Sequence, residues 1–107
     1  MKKIFKYDLH YYSVPEIVRL PAGAKVIDFQ IQNRAFKLWC LVDSDVDDID
    51  TRVFILAMTG QPLEWEIVTT FGTRVIAETG MVVHLLELSP DTEAKDAADD
   101  DRISAVN

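Results

Sequence analysis

Apolar and polar residues alternate with a period of two along nearly the whole chain, and that pattern restricts it to β-structure. A strand points successive side chains to opposite faces, so Phe5, Tyr7 and Leu9 set against Lys6 and Asp8 bury one face and wet the other. Residues 25–32 repeat the pattern, with Ile27, Phe29 and Ile31 on one face and Asp28, Gln30 and Gln32 on the other. Residues 64–71 repeat it again, with Trp65, Ile67, Thr69 and Phe71 opposite Glu64, Glu66 and Thr70. Shorter strands are expected at 17–20, 52–58, 74–77 and 81–88. The breaks between them carry turn chemistry: Pro21-Ala22-Gly23-Ala24, Thr59-Gly60-Gln61-Pro62, Gly72 and Glu78-Thr79-Gly80. Asn33-Arg34 joins two strands closely enough to predict a β-hairpin. Its second strand, 36–42, is apolar on both faces apart from Lys37, which predicts a central strand covered on both sides.

These elements define the expected fold class: all-β, a compact sandwich or small barrel of about seven strands. Residues 1–90 form one β-rich domain. After Pro90 the composition turns to Ala, Asp, Glu and Lys, with no apolar stripe before Ile103 and Val106. Residues 91–107 therefore read as an acidic tail, disordered or marginally helical.

The 107 residues carry a net charge of −7, which excludes a general DNA binder with a basic footprint. The tail holds −4 of that charge, so residues 1–90 carry only −3, and a local basic pocket is compatible with the body. Cys40 is the only cysteine and sits in FKLWCLV, so no intrachain disulfide forms and the thiol reads as a small buried hydrophobe. The N-terminus lacks the apolar stretch of a signal peptide, and no run approaches the roughly 18 apolar residues of a membrane span. The expectation is a protein that stays in a cytosol and engages no membrane.

Four segments, MKKIFKYDL, VRLPAGAKVIDFQIQN running into LWCLVD, MTGQP and VVHLLEL, occur in that order over residues 1–88. In this the chain resembles a family of short phage-encoded proteins of uncharacterised function. Members begin on a KIFKY strand, carry an LP-x-GA-x-V turn and strand, and end on an FHV-like strand. The resemblance implies a viral context, in which small accessory proteins act on host machinery inside the host cytoplasm.

The residues offer no catalytic constellation. Asp43-Ser44-Asp45-Val46-Asp47-Asp48-Ile49-Asp50 matches the first ligand positions of an EF-hand loop, but Asp48 stands where glycine is needed and Phe54 where the bidentate glutamate belongs. It reads as a solvated acidic connection. His10 and His84, even with Cys40, match no zinc spacing. No glycine-rich phosphate loop is present. The reading is therefore of a non-enzyme without a cofactor or metal.

Trp39 and Trp65 lie in apolar strands, where core packing is the default. The body's bases are Lys2, Lys3, Lys6, Arg19, Lys25, Arg34, Lys37, Arg52 and Arg74. Scattered over strand faces they only solubilise the chain. Converged, they would hold an anionic ligand through charge-assisted hydrogen bonds. Arg34 and Lys37 beside Trp39 form the best local grouping for a nucleotide, since phosphate seeks a cation and a base seeks an aromatic face. Two functions follow. One is an accessory binding protein that engages or sequesters a host protein or small nucleotide signal, in counter-defence. The other is a small structural or assembly protein of a virion. The apolar strands FKLWCLV and RVFILAM exceed what so small a monomer easily covers, so a homo-oligomer is expected.

Overall fold

The structure, a computed structural model, describes residues 1–97 and the backbone of 103–104. Nine strands run in chain order: β1 (Lys2–Asp8), β2 (Glu16–Pro21), β3 (Lys25–Gln32), β4 (Ala35–Asp43), β5 (Ile49–Met58), β6 (Ile67–Ile76), β7 (Met81–Leu88), β8 (Lys95–Asp96) and β9 (Ile103–Ser104). They form an all-β sandwich, with no helix among the described residues. The first sheet is ordered β3-β4-β1, with the two-residue β9 on its free edge; the second is β6-β7-β5-β2-β8. Tyr7, Phe29, Leu38 and Cys40 from the first sheet meet Val18, Leu20, Phe54 and Leu85 from the second in the buried core. Cys40 behaves there as the expected hydrophobe, and burial pushes its thiol pKa up to about 12.

The predicted hairpin is present. Gln32 pairs with Ala35, and the two linking residues have positive φ, 55° at Asn33 and 68° at Arg34. This is the I′ pattern, whose twist matches that of the strands. Asn tolerates the left-handed region, whereas a long side chain there costs about 1–2 kcal/mol. Arg34→Gly relieves that cost and gives back about 0.5–1 kcal/mol of it through the more mobile unfolded chain. Its thermal midpoint is expected to rise by roughly 3–5 °C; an unchanged or lower midpoint in a melting experiment contradicts the account.

The structure corrects the local reading in four places. A bulge between Val26 and Asp28 makes Ile27 an extra residue, so Phe29 is buried while Ile27 is 51% exposed. Gly72 does not end its strand: β6 runs through it at φ 127°, with register shifts between Ile67 and Thr69 and between Thr70 and Gly72. The strand covered on both faces is β5, whose consecutive residues Val53 to Ala57 are all buried. Phe54 and Leu56 face the main core, while Val53, Ile55 and Ala57 pack with Leu86, Leu88, Trp65 and Ala94 in a second cluster. β4 is central in its sheet, but Lys37, Trp39 and Leu41 on its outward face stay half-exposed.

The fourth correction concerns residues 91–97, read as the start of the tail. They return to the second sheet, where β8 pairs parallel to Glu16 and Ile17. The Lys95 amide donates to the Pro15 carbonyl (2.9 Å), and the Arg19 guanidinium grips the Asp96 carboxylate through two bonds of 2.8 and 2.7 Å. Docking by backbone bonds and one ion pair needs no apolar stripe, which is why composition did not reveal it. Residues 98–102 and 105–107, on which the rest of the disordered-or-helical expectation falls, lie outside the described residues.

Candidate functional site

The sequence grouping of Arg34, Lys37 and Trp39 is only partly assembled. Lys37 and Trp39 share the outward face of β4, two residues apart. Lys37 donates to the Asp8 carboxylate across the strand pair at 2.6 Å, which cancels most of its field. Arg34 stands exposed at the hairpin tip. Four of the other bases are also engaged. Lys6 donates to Gln32 (2.7 Å), Arg19 is held by Asp96, and Lys95 lies 5.4 Å from the Tyr11 ring centroid. Arg74 bonds Asp28 and lies 4.5 Å above the Phe29 ring, tying the β3 edge to β6.

Lys2, Lys3, Lys25 and Arg52 remain, and all but Lys3 line one cleft. At one end of the sandwich the sheets part to leave a cleft of about 600 Å³. The first sheet lines it with Lys2, Lys25 and Val26, and the second with Arg52, Phe71 and Glu87. Arg52 is at the centre. Its Nε and Nη2 donate to the two Glu87 carboxylate oxygens at 2.8 and 2.7 Å, and Nη1 donates to the Ala24 carbonyl at 2.6 Å. Register explains the pair: Phe54 opposes Glu87 across β5 and β7, so Arg52 and Glu87 are diagonal neighbours on the inner face. The guanidinium also packs 5.4 Å from the Phe54 ring centroid. The Glu87 hydrogen bonds, and then the charges of Glu87 and Asp50, hold the Arg52 pKa above its ordinary value against the opposing effect of burial.

A guanidinium has five N–H donors, and these bonds use three. The Lys2 and Lys25 side chains make no hydrogen bond or ion pair among the described residues, and both residues are exposed. Lys2 and Lys25 border the cleft from the outward face of the first sheet, which Leu41 shares, while Arg52 and Glu87 meet on its inner side beside the half-buried ring of Phe71. Sequence reading counted each of these bases without joining them, because 50 residues and a change of sheet separate Lys2 from Arg52.

The other candidates resolve into structural roles. In the acidic loop the Asp43 carboxylate accepts the Asp45 N–H (3.0 Å) and Asp50 accepts the Gly23 N–H (3.2 Å), so these acids close turns. Among the described residues no three His, Cys, Asp or Glu side chains gather into a group able to hold a metal ion. Nor is any helix long and apolar enough to cross a membrane. His10 Nδ1 lies 3.1 Å from the buried Glu16 carboxylate. His84 lies on the opposite face of the second sheet from the cleft, between two threonines.

Fold and cleft together define the class: an all-β sandwich whose open end gathers bases around an aromatic ring. The chain belongs to the family defined by the domain of unknown function DUF7352, which matches residues 1–96 and so takes in β1 to β8. No curated protein and no solved structure matches it.

Proposed function

We propose that the chain is a non-enzymatic binding protein of the phage accessory kind, acting in the host cytoplasm to engage or sequester a host component. The component that suits the cleft is a small anionic molecule of nucleotide type. The observation that carries this reading is that Lys2 and Lys25, whose side chains make no hydrogen bond or ion pair among the described residues, line the same cleft as the anchored Arg52 and Phe71. Phosphate oxygens take ammonium and guanidinium donors strongly, and a base takes an aromatic face. Glu87 holds the guanidinium in place, so little side-chain freedom is lost when a ligand arrives.

Calorimetry against a panel of linear and cyclic nucleotides tests the reading. At least one should bind, more weakly as salt rises. Lys2→Ala with Lys25→Ala should weaken binding by about tenfold or more, while Arg34→Ala with Lys37→Ala should leave it within about threefold. The reverse ranking moves the site to the hairpin. No heat from any nucleotide with folded protein removes the nucleotide reading and leaves a host protein as the target.

The second reading, a structural or assembly protein of a virion, draws on β6. It is an edge strand with Ile67, Val68 and Val75 exposed by 42%, 56% and 66%. An edge of that kind is a surface for self-association. Both readings expect a homo-oligomer, and native mass separates them: a small closed oligomer fits a binding protein, a large assembly fits a structural one.

A further inference from the structure

A second pocket, of about 410 Å³, lies on the outer face of the second sheet, remote from the bases of the cleft. Two segments that carried the family resemblance meet there: the MTGQP turn supplies Thr59, and the VVHLLEL strand supplies His84. Ala57 and Leu86 line it with apolar surface, and Leu63, 41% exposed, stands at its rim. Among the described residues that line it, His84 is the only ionisable one.

Both ring nitrogens of His84 are engaged. Nε2 lies 2.8 Å from the Thr59 hydroxyl, and Nδ1 lies 2.8 Å from the Thr73 hydroxyl. Thr73 comes from β6, where it sits directly opposite His84. A neutral imidazole has one N–H and one lone pair. One threonine must therefore donate its proton to the ring, and the other must accept the ring N–H. The accepting threonine keeps its own O–H to offer outward. The donating threonine keeps a lone pair to offer outward. The other tautomer exchanges the two roles and leaves the same pair.

The side-chain triad thus presents one donor and one acceptor, held on adjacent strands by one ring. A group with C=O and N–H side by side satisfies both at once, as an amide edge does. A carboxylate has no donor for the lone pair of the donating threonine, and an ammonium has no acceptor for the O–H of the accepting one. Either charge would also meet no opposite charge in the lining.

We propose that this pocket is a second binding site, which takes an uncharged molecule presenting a carboxamide or lactam edge on an apolar body. The apolar body packs against Ala57, Leu86 and Leu63, and the amide edge faces Thr59 and Thr73.

The test is a heteronuclear NMR titration of the full chain at about pH 8. The probes are hexanamide, 2-pyridone, hexanoate and hexylamine. Hexanamide, 2-pyridone or both should give saturable shifts at Thr59, Thr73 and His84. Saturation by hexanamide alone assigns the site to carboxamides, and by 2-pyridone alone to lactams. Hexanoate and hexylammonium should bind at least about tenfold more weakly. Thr59→Val and Thr73→Val should each weaken amide binding by about tenfold; both residues are exposed, so the fold should survive, and the spectrum of the core reports that it has. The proposal is overturned by no saturable shift from either amide, by hexanoate binding as well as hexanamide, or by amide binding that neither valine variant changes.

Discussion

Glu16→Ala is expected to destabilise the fold by about 2–4 kcal/mol, a large fraction of what a domain of this size possesses. Among the described residues Glu16 is the one buried charged residue, 2% exposed, at the start of β2. Its two carboxylate oxygens accept the His10 N–H at 3.0 Å each, one also accepts the Tyr11 N–H at 3.2 Å, and the other lies 3.1 Å from His10 Nδ1. The carboxylate thus holds the turn that carries the chain from β1 in one sheet to β2 in the other. Without it two backbone donors lose their acceptor, at about 1–3 kcal/mol for each that stays shielded from water. His10 is accessible enough to be partly rehydrated, which keeps the figure below the upper end. Glu16→Gln preserves the shape but turns an NH₂ toward N–H donors, so its loss should fall between wild type and alanine. Urea denaturation followed by tryptophan fluorescence measures both. A loss under about 1 kcal/mol for the alanine variant would mean that the turn is held by something other than this carboxylate.

Arg52→Ala is expected to cost about 3–5 kcal/mol, and the reason separates stability from function at the cleft. The Arg52 and Glu87 side chains are 19% and 14% exposed, so alanine leaves a largely shielded carboxylate without its cation and the Ala24 carbonyl without its donor. Replacing both members, Arg52→Met with Glu87→Leu, removes the stranded charge and should return stability to within about 1–2 kcal/mol of wild type. The double variant keeps Lys2 and Lys25 but loses the central guanidinium, so nucleotide affinity should fall by about tenfold or more while the fold persists. Denaturation and calorimetry on the same preparations give the two numbers. A double variant as unstable as Arg52→Ala would show that the pair's geometry, rather than the unpaired charge, sets the cost. Unchanged affinity in a folded double variant would remove Arg52 from the site.

Other features of the chain are local in origin and were legible as such. The period of two needs only the pleat, so strands 25–32 and 81–88 were placed at their observed limits. Asn33-Arg34 dictates a tight reversal through its own backbone, and Gln32 duly faces Ala35. Cys40, flanked by apolar residues at every step, was bound for the interior.

What covers an apolar face is a property of the rest of the molecule, and there the chain by itself misleads. FKLWCLV and RVFILAM read alike, yet the outer face of β5 is covered by Trp65 and Ala94 while the outward face of β4 receives nothing that buries Trp39. The bulge at Ile27 falls in the pairing of β3 with β4, and no nearby residue announces it. Charge follows the same rule. Lys37 looked available and is paired with Asp8, 29 positions away; Arg52 looked like one base among nine and is anchored by Glu87, 35 positions away. Side-chain direction is set by the residue's own strand, so sequence determines it. Partnership across sheets depends on which strands become neighbours, and that is decided only when long-range pairing brings β1, β3, β5 and β7 to one end of the sandwich, with Lys2, Lys25, Arg52 and Glu87 around one cleft.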